Sequence, residues 1–294
     1  MSQQLERLAP TKAFGARTTP KLGKWIIYVI LIIGAVMMVA PLLWMITTSL
    51  SNNKYALTFP PKLFPTSFHF DNFLEIFKSD DFALYLRNTL IITIPAIIGQ
   101  VFVSSLAAFA FARLRAPGKN LFFIITLCTL MIPGEVTMIP NFIMFKYFHW
   151  INTFWPLIVP NFFGNAFNIF LMRQFFMNVP LELDEAAKLD GLSYFGIWWR
   201  IIVPLAKPAL VTVAIFTFTY NWGSFMGPLI YLNDQKLYPL ALGIYQMTQT
   251  GNVMEQPNWN LIMAGSLLLT IPMIIVFFYG QRHIYEGTNV LGRL

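Results

Sequence analysis

The amino-acid sequence predicts an all-α polytopic membrane protein with six transmembrane helices and both termini in the cytoplasm. Three observations carry that prediction. Charged residues make up 11% of the 294 positions and apolar residues 56%, whereas a soluble domain carries about 25% charged residues. Six runs are long and apolar enough to cross a bilayer, which takes about 20 residues each. Lys and Arg are sorted between alternate loops, as the positive-inside rule demands.

The runs follow in order. The first covers residues 25–46; it is too long for a signal-peptide core of about 7–15 residues, and no convincing small-residue cleavage site follows. It reads as a retained anchor. The second covers 88–111, and the third 121–143, with Pro133 and Pro140 inside it. The fourth is 154–176, the fifth 208–232 and the sixth 260–280. These divide the chain into a basic cytoplasmic tail 1–24, one membrane domain 25–280 and a cytoplasmic tail 281–294.

Orientation follows from the basic residues. Arg7, Lys12, Arg17, Lys21, Lys24, Arg113, Arg115, Lys119, Arg173, Lys188, Arg200, Lys207, Arg282 and Arg293 fall on one side. Lys54, Lys62, Lys78, Arg87, Lys146 and Lys236 fall on the other. The richer side is cytoplasmic. The net charge of +7 is therefore a topological signal. No basic stripe or aromatic-basic module accompanies it, so no nucleic-acid partner is expected. The single Cys128 excludes an internal disulfide, and His69, His149 and His283 form no metal pattern.

Between the fourth and fifth runs, on the cytoplasmic side, lies a charged stretch, Asp184-Glu-Ala-Ala-Lys-Leu-Asp-Gly191. Pro180 suits a first helical position. Glu182, Asp184 and Glu185 then fall where the helix dipole favours negative charge. Gly191 suits the left-handed position past the end. Ser193 can cap a second short helix, expected to carry Ile197, Trp198, Ile201 and Ile202 into the membrane interface. Pro204 and Pro208 are expected to break that helix before the fifth run. From these residues alone the loop 178–207 is either a connection or a docking element.

The residues resemble a known signature. Glu185, Ala186, Ala187, Gly191, Ile201 and Pro204 match in register the EAA motif of ABC importer permeases, with Val203 in place of the usual Leu. The segments "PLLWMITTSLSNN", "MIPGEVTMIPNF" and "PLIYLNDQKLYPLALGIYQM" extend the resemblance over nearly the whole chain, closest to the carbohydrate-uptake, MalG-like subunit. The family often reads Trp-Asn-Glu in the fifth run, where this chain has "YNWGSF". The resemblance implies that the loop is a cytoplasmic coupling helix between helices 4 and 5, with Glu185, Ala186, Ala187, Asp190, Gly191, Ile201 and Pro204 meeting an ATPase. Two serial alanines would give a closely approachable face. It also implies a second homologous permease subunit, two ATPase subunits and an extracellular or periplasmic solute-binding protein, in the bacterial cytoplasmic (inner) membrane.

The chain itself has no P-loop. Gly23–Lys24 and Gly118–Lys119 are followed by Trp25 and Asn120 instead of Ser or Thr, and Thr18 and Arg113 stand where the first glycine belongs. No cofactor is expected on this chain; ATP and Mg would sit on the ATPase subunits. Catalytic triads, metal sets and paired carboxylates are absent from the sequence pattern, which speaks against an enzyme. A secondary transporter would show repeats or intramembrane ion-pairing residues.

Polar residues recur at helical spacing inside the runs. Asn161, Asn165 and Asn168 are expected on one helix face, and so are Thr217, Asn221 and Ser224; Gln100 and Ser104 are four apart. Such groups either pair between helices or line a wet cavity. Amides and hydroxyls suit an uncharged sugar or oligosaccharide, and Tyr220 and Trp222 are candidates for stacking on it. Glycerol-3-phosphate, the alternative cargo, would want a base in the path, and none is seen. Glu135 leaves three readings: lining the path, binding a basic group on the partner permease, or sitting wet near the outer surface. The last two are preferred. The long outer loop 47–87 is a candidate contact for the binding protein.

Overall fold

The computed structural model describes residues 21–53, 67–78, 80–249 and 257–289. The expectations for the outer loop 54–66 and for the extreme tails lie outside them. By contacts the chain divides into two units, Met1–Met45 and Ile46–Leu294. The described part of the first unit is one helix, α1 (Lys21–Ser49), which continues into the second. From residue 25 on it is apolar on every side, as a membrane-spanning helix is.

Among the described residues of the second unit every regular element is helical: α2 (Asp71–Lys78), α3 (Asp80–Arg113), α4 (Lys119–Cys128), α5 (Gly134–Tyr147), α6 (Trp155–Ile158), α7 (Ala166–Met177), α8 (Leu181–Leu189), α9 (Tyr194–Ile197), α10 (Val203–Leu205), α11 (Lys207–Trp222), α12 (Met226–Tyr231), α13 (Leu240–Met247) and α14 (Trp259–Asn289). The longest, α3, is the central post. It packs against α7, α11, α13 and the 3-10 turn Val159–Phe163, while α14 packs against α11, α2 and α13.

Among the described residues three helices are long and apolar enough to cross a membrane: Lys24–Ser49, Asp81–Arg113 and Trp259–Arg282. Two bent pairs raise the number to five. Lys119–Met131 and Gly134–Tyr147 meet at 99°, and Tyr194–Leu205 and Lys207–Trp222 at 82°. The first bend has a local cause. Pro133 disfavours helical backbone at the residue before it, and Ile132 is extended, with φ −86° and ψ 114°.

The expected fourth span is not one helix. The segment 154–176 runs through α6, a 3-10 turn and α7, broken at Gly164. Gly164 has φ 78° and ψ 162°, a conformation reached almost only by glycine. The next residue restarts the helix: Asn165 is extended, and its side chain accepts from the backbone N–H groups of Phe167 and Asn168.

The second junction also differs from expectation. Pro204 lies inside α10; the break falls at Ala206, and Pro208 opens α11. Residues 198–202 form a π-helical turn, a rare wide turn often found at functional sites. Ile197, Trp198 and Ile202 do not face the membrane interface. All three are buried in a core shared with Ala108, Phe109, Met172, Phe176, Ala187, Ala209 and Val213. Trp198 meets Phe102 of α3 edge-on at 5.5 Å. This core joins α3, α7, α8 and the foot of α11 into one packed body.

The opposite end is tied by side-chain amides. Asn72 donates to the carbonyls of Ser49 and Ser51, and Asn260 donates to Asn72. Asn152, at φ 62°, accepts from the backbone N–H groups of Asn233 and Asp234.

Candidate functional site: a polar cavity and a capped helix

A cavity of about 820 Å³ opens between α3, α5, the broken segment 156–168, α11 and α12. That is within the usual 300–1,000 Å³ of small-molecule sites. Its wall brings together Asn161, Asn165, Asn168, Thr217, Tyr220, Asn221, Ser224 and Glu135, and adds Gln100, Thr137 and Asn141. Trp222 does not join it. Its ring stacks on Phe218, and its Nε1 donates to the carbonyl of Leu269 on α14.

The three asparagines reach the cavity by a different route from the one their spacing suggests. They lie on a 3-10 turn, an N-cap and a first helical turn, so no common helix face exists. Gln100 of α3 gathers them. In the amide orientation that satisfies its neighbours, its Nε2 donates to the backbone oxygen of Asn161 at 3.2 Å. Its Oε1 accepts from the Asn165 N–H at 2.8 Å, from Asn168 Nδ2 at 3.0 Å and from Ser104 Oγ at 2.7 Å. A broken chain inside a bilayer leaves backbone groups that lipid cannot satisfy; this buried amide satisfies two of them.

The rest of the wall is self-satisfied in part. Thr217 Oγ1 donates to the Val213 carbonyl, and Asn221 Nδ2 to the Thr217 carbonyl. Their amide and hydroxyl oxygens remain as acceptors. Tyr220 is highly exposed, at 76%. Glu135 sits exposed in the first turn of α5, where the helix N-terminus favours its charge. Among the described residues no Lys, Arg or His lines the cavity, and no group of three or more His, Cys, Asp or Glu is placed to hold a metal.

At the end of α3 away from residue 80 lies the charged helix α8. Pro180 precedes it as the N-cap residue, one position earlier than expected. Its C-terminus is closed by the reciprocal pattern of a left-handed cap: Gly191, at φ 80°, donates to Lys188 O, and Leu192 donates to Ala187 O. Ser193 caps α9 by accepting from the Gly196 N–H at 3.2 Å. The two alanines do not form one flat face. Ala186 is exposed, while Ala187 plugs the core. Glu185, Asp190 and Gly191 are exposed, as is Pro204, with Ile201 half-buried. Leu189 is 90% exposed, an apolar tip that the charge pattern did not single out.

Sequence reasoning placed Asp184 at the start of the helix but missed its partner. Asp184 is buried, with its Oδ2 3.3 Å from Nε of Arg113, the last residue of α3. Burial pushes the Asp184 carboxyl above its ordinary range, and the charges of Arg113 and Lys188 pull it back. The only sequence hint was a basic residue ending a long apolar run.

A helical membrane body, a polar cavity against its central helix and a capped charged helix at one end define a transport subunit. The chain belongs to the family of inner-membrane components of binding-protein-dependent transport systems, whose model matches residues 100–289. It is 30% identical over 284 residues to the arabinooligosaccharides transport system permease protein AraQ of Halalkalibacterium halodurans, covering 94% of this chain and 98% of that one. It is 30% identical over 266 residues to the sn-glycerol-3-phosphate transport system permease protein UgpE of Yersinia pestis, covering 88% and 94%. A crystal structure of a bacterial ABC transporter involved in the import of the acidic polysaccharide alginate shares the fold, with TM-score 0.79 at 24% identity over 90% of this chain and 99% of that chain. The chain is thus a multi-pass permease subunit of the bacterial inner membrane, with no ATPase site of its own.

Proposed function

We propose that this permease carries an uncharged sugar or oligosaccharide through the cavity around Gln100, driven by ATP hydrolysis on two separate ATPase subunits. It pairs with a second homologous permease and receives its cargo from a solute-binding protein outside the membrane. Six spans with both termini cytoplasmic place α8 on the ATPase side. There Glu185, Ala186, Leu189 and Asp190 meet the ATPase.

The observation that supports the substrate reading is the composition of the cavity wall. Six side-chain amides, from Gln100, Asn141, Asn161, Asn165, Asn168 and Asn221, face it together with the aliphatic hydroxyls of Thr137, Thr217 and Ser224 and the phenols of Tyr220 and Tyr231. These groups donate and accept without charge, which matches sugar hydroxyls. The described wall holds one carboxylate and no base. A phosphate or uronate would meet repulsion and no charge-assisted partner.

The second reading, glycerol-3-phosphate, is favoured by the Yersinia pestis relative. The two separate in one experiment. The importer, reconstituted with its partner permease, ATPases and binding protein in proteoliposomes, is offered radiolabelled arabinotriose, glycerol-3-phosphate and an alginate trisaccharide. ATP-dependent uptake of the neutral saccharide is expected. Uptake of an anionic cargo alone overturns the reading.

A further inference from the structure

We infer that Arg113 is a positioning residue that transmits the movement of α8 to the cavity, through its buried contact with Asp184 and the unbroken last turns of α3. This rests on the reading of α8 as the ATPase-facing element.

Four observations lead there. The guanidinium holds α8 at two points: Nε lies 3.3 Å from Asp184 Oδ2, and an Nη donates to the Val179 carbonyl at 2.6 Å. It grips both the entry to α8 and its first turn. Both side chains are almost fully enclosed, at 3% and 8% exposure, so the contact is screened little by water or salt.

The pair is also a poor stabilising device. Arg113 Nε and Asp184 Oδ1 are buried without hydrogen bonds, and desolvation dominates the carboxyl. Buried pairs of this kind add little net stability, and well-packed apolar residues often replace them without loss. Fixing the register of one element against another is the best attested use of a buried polar pair, and α8 on α3 is such a place.

The third observation is what lies up the same helix. Gln100 is thirteen residues before Arg113, about 20 Å at 1.5 Å per residue. The one proline of α3 is Pro95, upstream of Gln100, so this stretch keeps its helical ladder whole. Gln100 grips the broken segment at Asn161, Asn165 and Asn168. One stiff rod is therefore fastened to α8 at its end and to the cavity wall part-way along. A displacement of α8 is delivered to the segment that shapes the cavity.

The fourth is the packing between them. Ala187, Trp198, Ile202, Met172, Phe176 and Phe109 share one core. Close-packed interiors transmit strain, so α8 has no soft layer in which its movement is lost.

The test uses the full complex in lipid nanodiscs, with Met138→Cys as a reporter on the cavity wall and Cys128→Ser removing the native thiol. The probe is a small uncharged methanethiosulfonate reagent, applied without nucleotide and after trapping with Mg-ATP and vanadate. In the parent complex the labelling rate is expected to change at least about fivefold on trapping. In Arg113→Gln and Asp184→Asn that change is expected to fall below about twofold, a loss of most of the coupling, while the ATPase subunits still co-purify and hydrolyse ATP. Arg113→Lys, which keeps the charge and a donor, is expected to retain most of the response. A full response in both single variants overturns the inference. So does loss of the ATPase subunits from all three variants, since the pair would then serve folding alone. A parent complex that does not respond to nucleotide removes the proposed function, and the inference with it.

Discussion

Gln100 Oε1 accepts the backbone N–H of Asn165 at 2.8 Å, so a side chain on the central helix closes the gap that Gly164 opens in a neighbouring segment. Gln100→Met keeps the shape and removes the polar end. It strands the Asn165 N–H, the Asn161 carbonyl and Asn168 Nδ2, each at about 1–3 kcal/mol when buried. The expected result is a melting temperature several degrees lower by about 4 °C or more, and saccharide uptake reduced about tenfold. Thermal unfolding in detergent and vesicle uptake measure the two separately.

Asn165 does two jobs at once: it caps α7 through Phe167 N and Asn168 N and presents its amide to the cavity. Asn165→Asp preserves the cap and should stay near wild-type stability. Asn165→Leu removes it, at about 1 kcal/mol, and replaces a polar wall with a branched apolar one. Uptake by Asn165→Leu is expected to fall further than its stability does. Equal uptake in Leu and wild type would reduce this residue to a cap.

The ATPase-facing surface of α8 is expected to centre on Leu189, whose exposure is 90%, beside the exposed Glu185. Burying a leucine side chain in a partner's pocket contributes about 1.5–3 kcal/mol. Leu189→Asp should release the ATPase subunits on size-exclusion chromatography. Glu185→Lys should lower uptake while leaving membrane insertion intact. Ala186→Leu, at an exposed position, is expected to weaken docking by steric means, whereas Ala187→Leu should destabilise the permease itself, since Ala187 is buried in the core.

Residues tied to local chemistry were the legible ones. Gly191 past the end of α8 and Ser193 before α9 are signals carried by a few neighbouring positions, and the backbone follows them; of the six apolar runs, the first, second and sixth are single helices among the described residues. What periodicity misses is the break. The spacing of Asn161, Asn165 and Asn168 presupposes a continuous helix, and Gly164 at φ 78° removes it; Gln100, more than sixty residues earlier, restores the convergence from another helix. The Arg113–Asp184 contact is of the same kind. Both partners look like ordinary terminal charges until α3 and α8 are brought together. Trp222 shows the opposite failure: an aromatic beside two polar cavity residues is turned outward to α14, because adjacent helical positions point about 100° apart.

That orientation gives Trp222 a distinguishable signature. Trp222→Phe keeps the stack on Phe218 and removes the donor to Leu269 O. Losing that hydrogen bond should lower stability by about 0.5–1.5 kcal/mol. The apparent KM for saccharide should stay within about twofold, since the ring does not reach the cavity wall. A KM raised tenfold with unchanged stability would place the indole in the path after all.

Glu135 tests the charge argument most directly, because it is the one carboxylate on a described wall without a base. Two unit charges about 8 Å apart interact by about 2 kcal/mol at an effective dielectric constant of 20. A neutral sugar has no charge to meet that field, while an anionic one carries the full repulsion into the cavity. Glu135→Gln should therefore leave uptake of arabinotriose within about twofold of wild type and Glu135→Lys should admit an alginate trisaccharide as a competitor, with an inhibition constant lowered by about tenfold or more. The salt dependence follows the same sign: competition in the Lys variant weakens as ionic strength rises, because position 135 is exposed and an exposed charge is screened within about 8 Å at physiological salt. Were Glu135→Gln to abolish neutral uptake, the carboxylate would be a hydrogen-bond partner of the sugar itself, and the selectivity would rest on contact geometry instead of field.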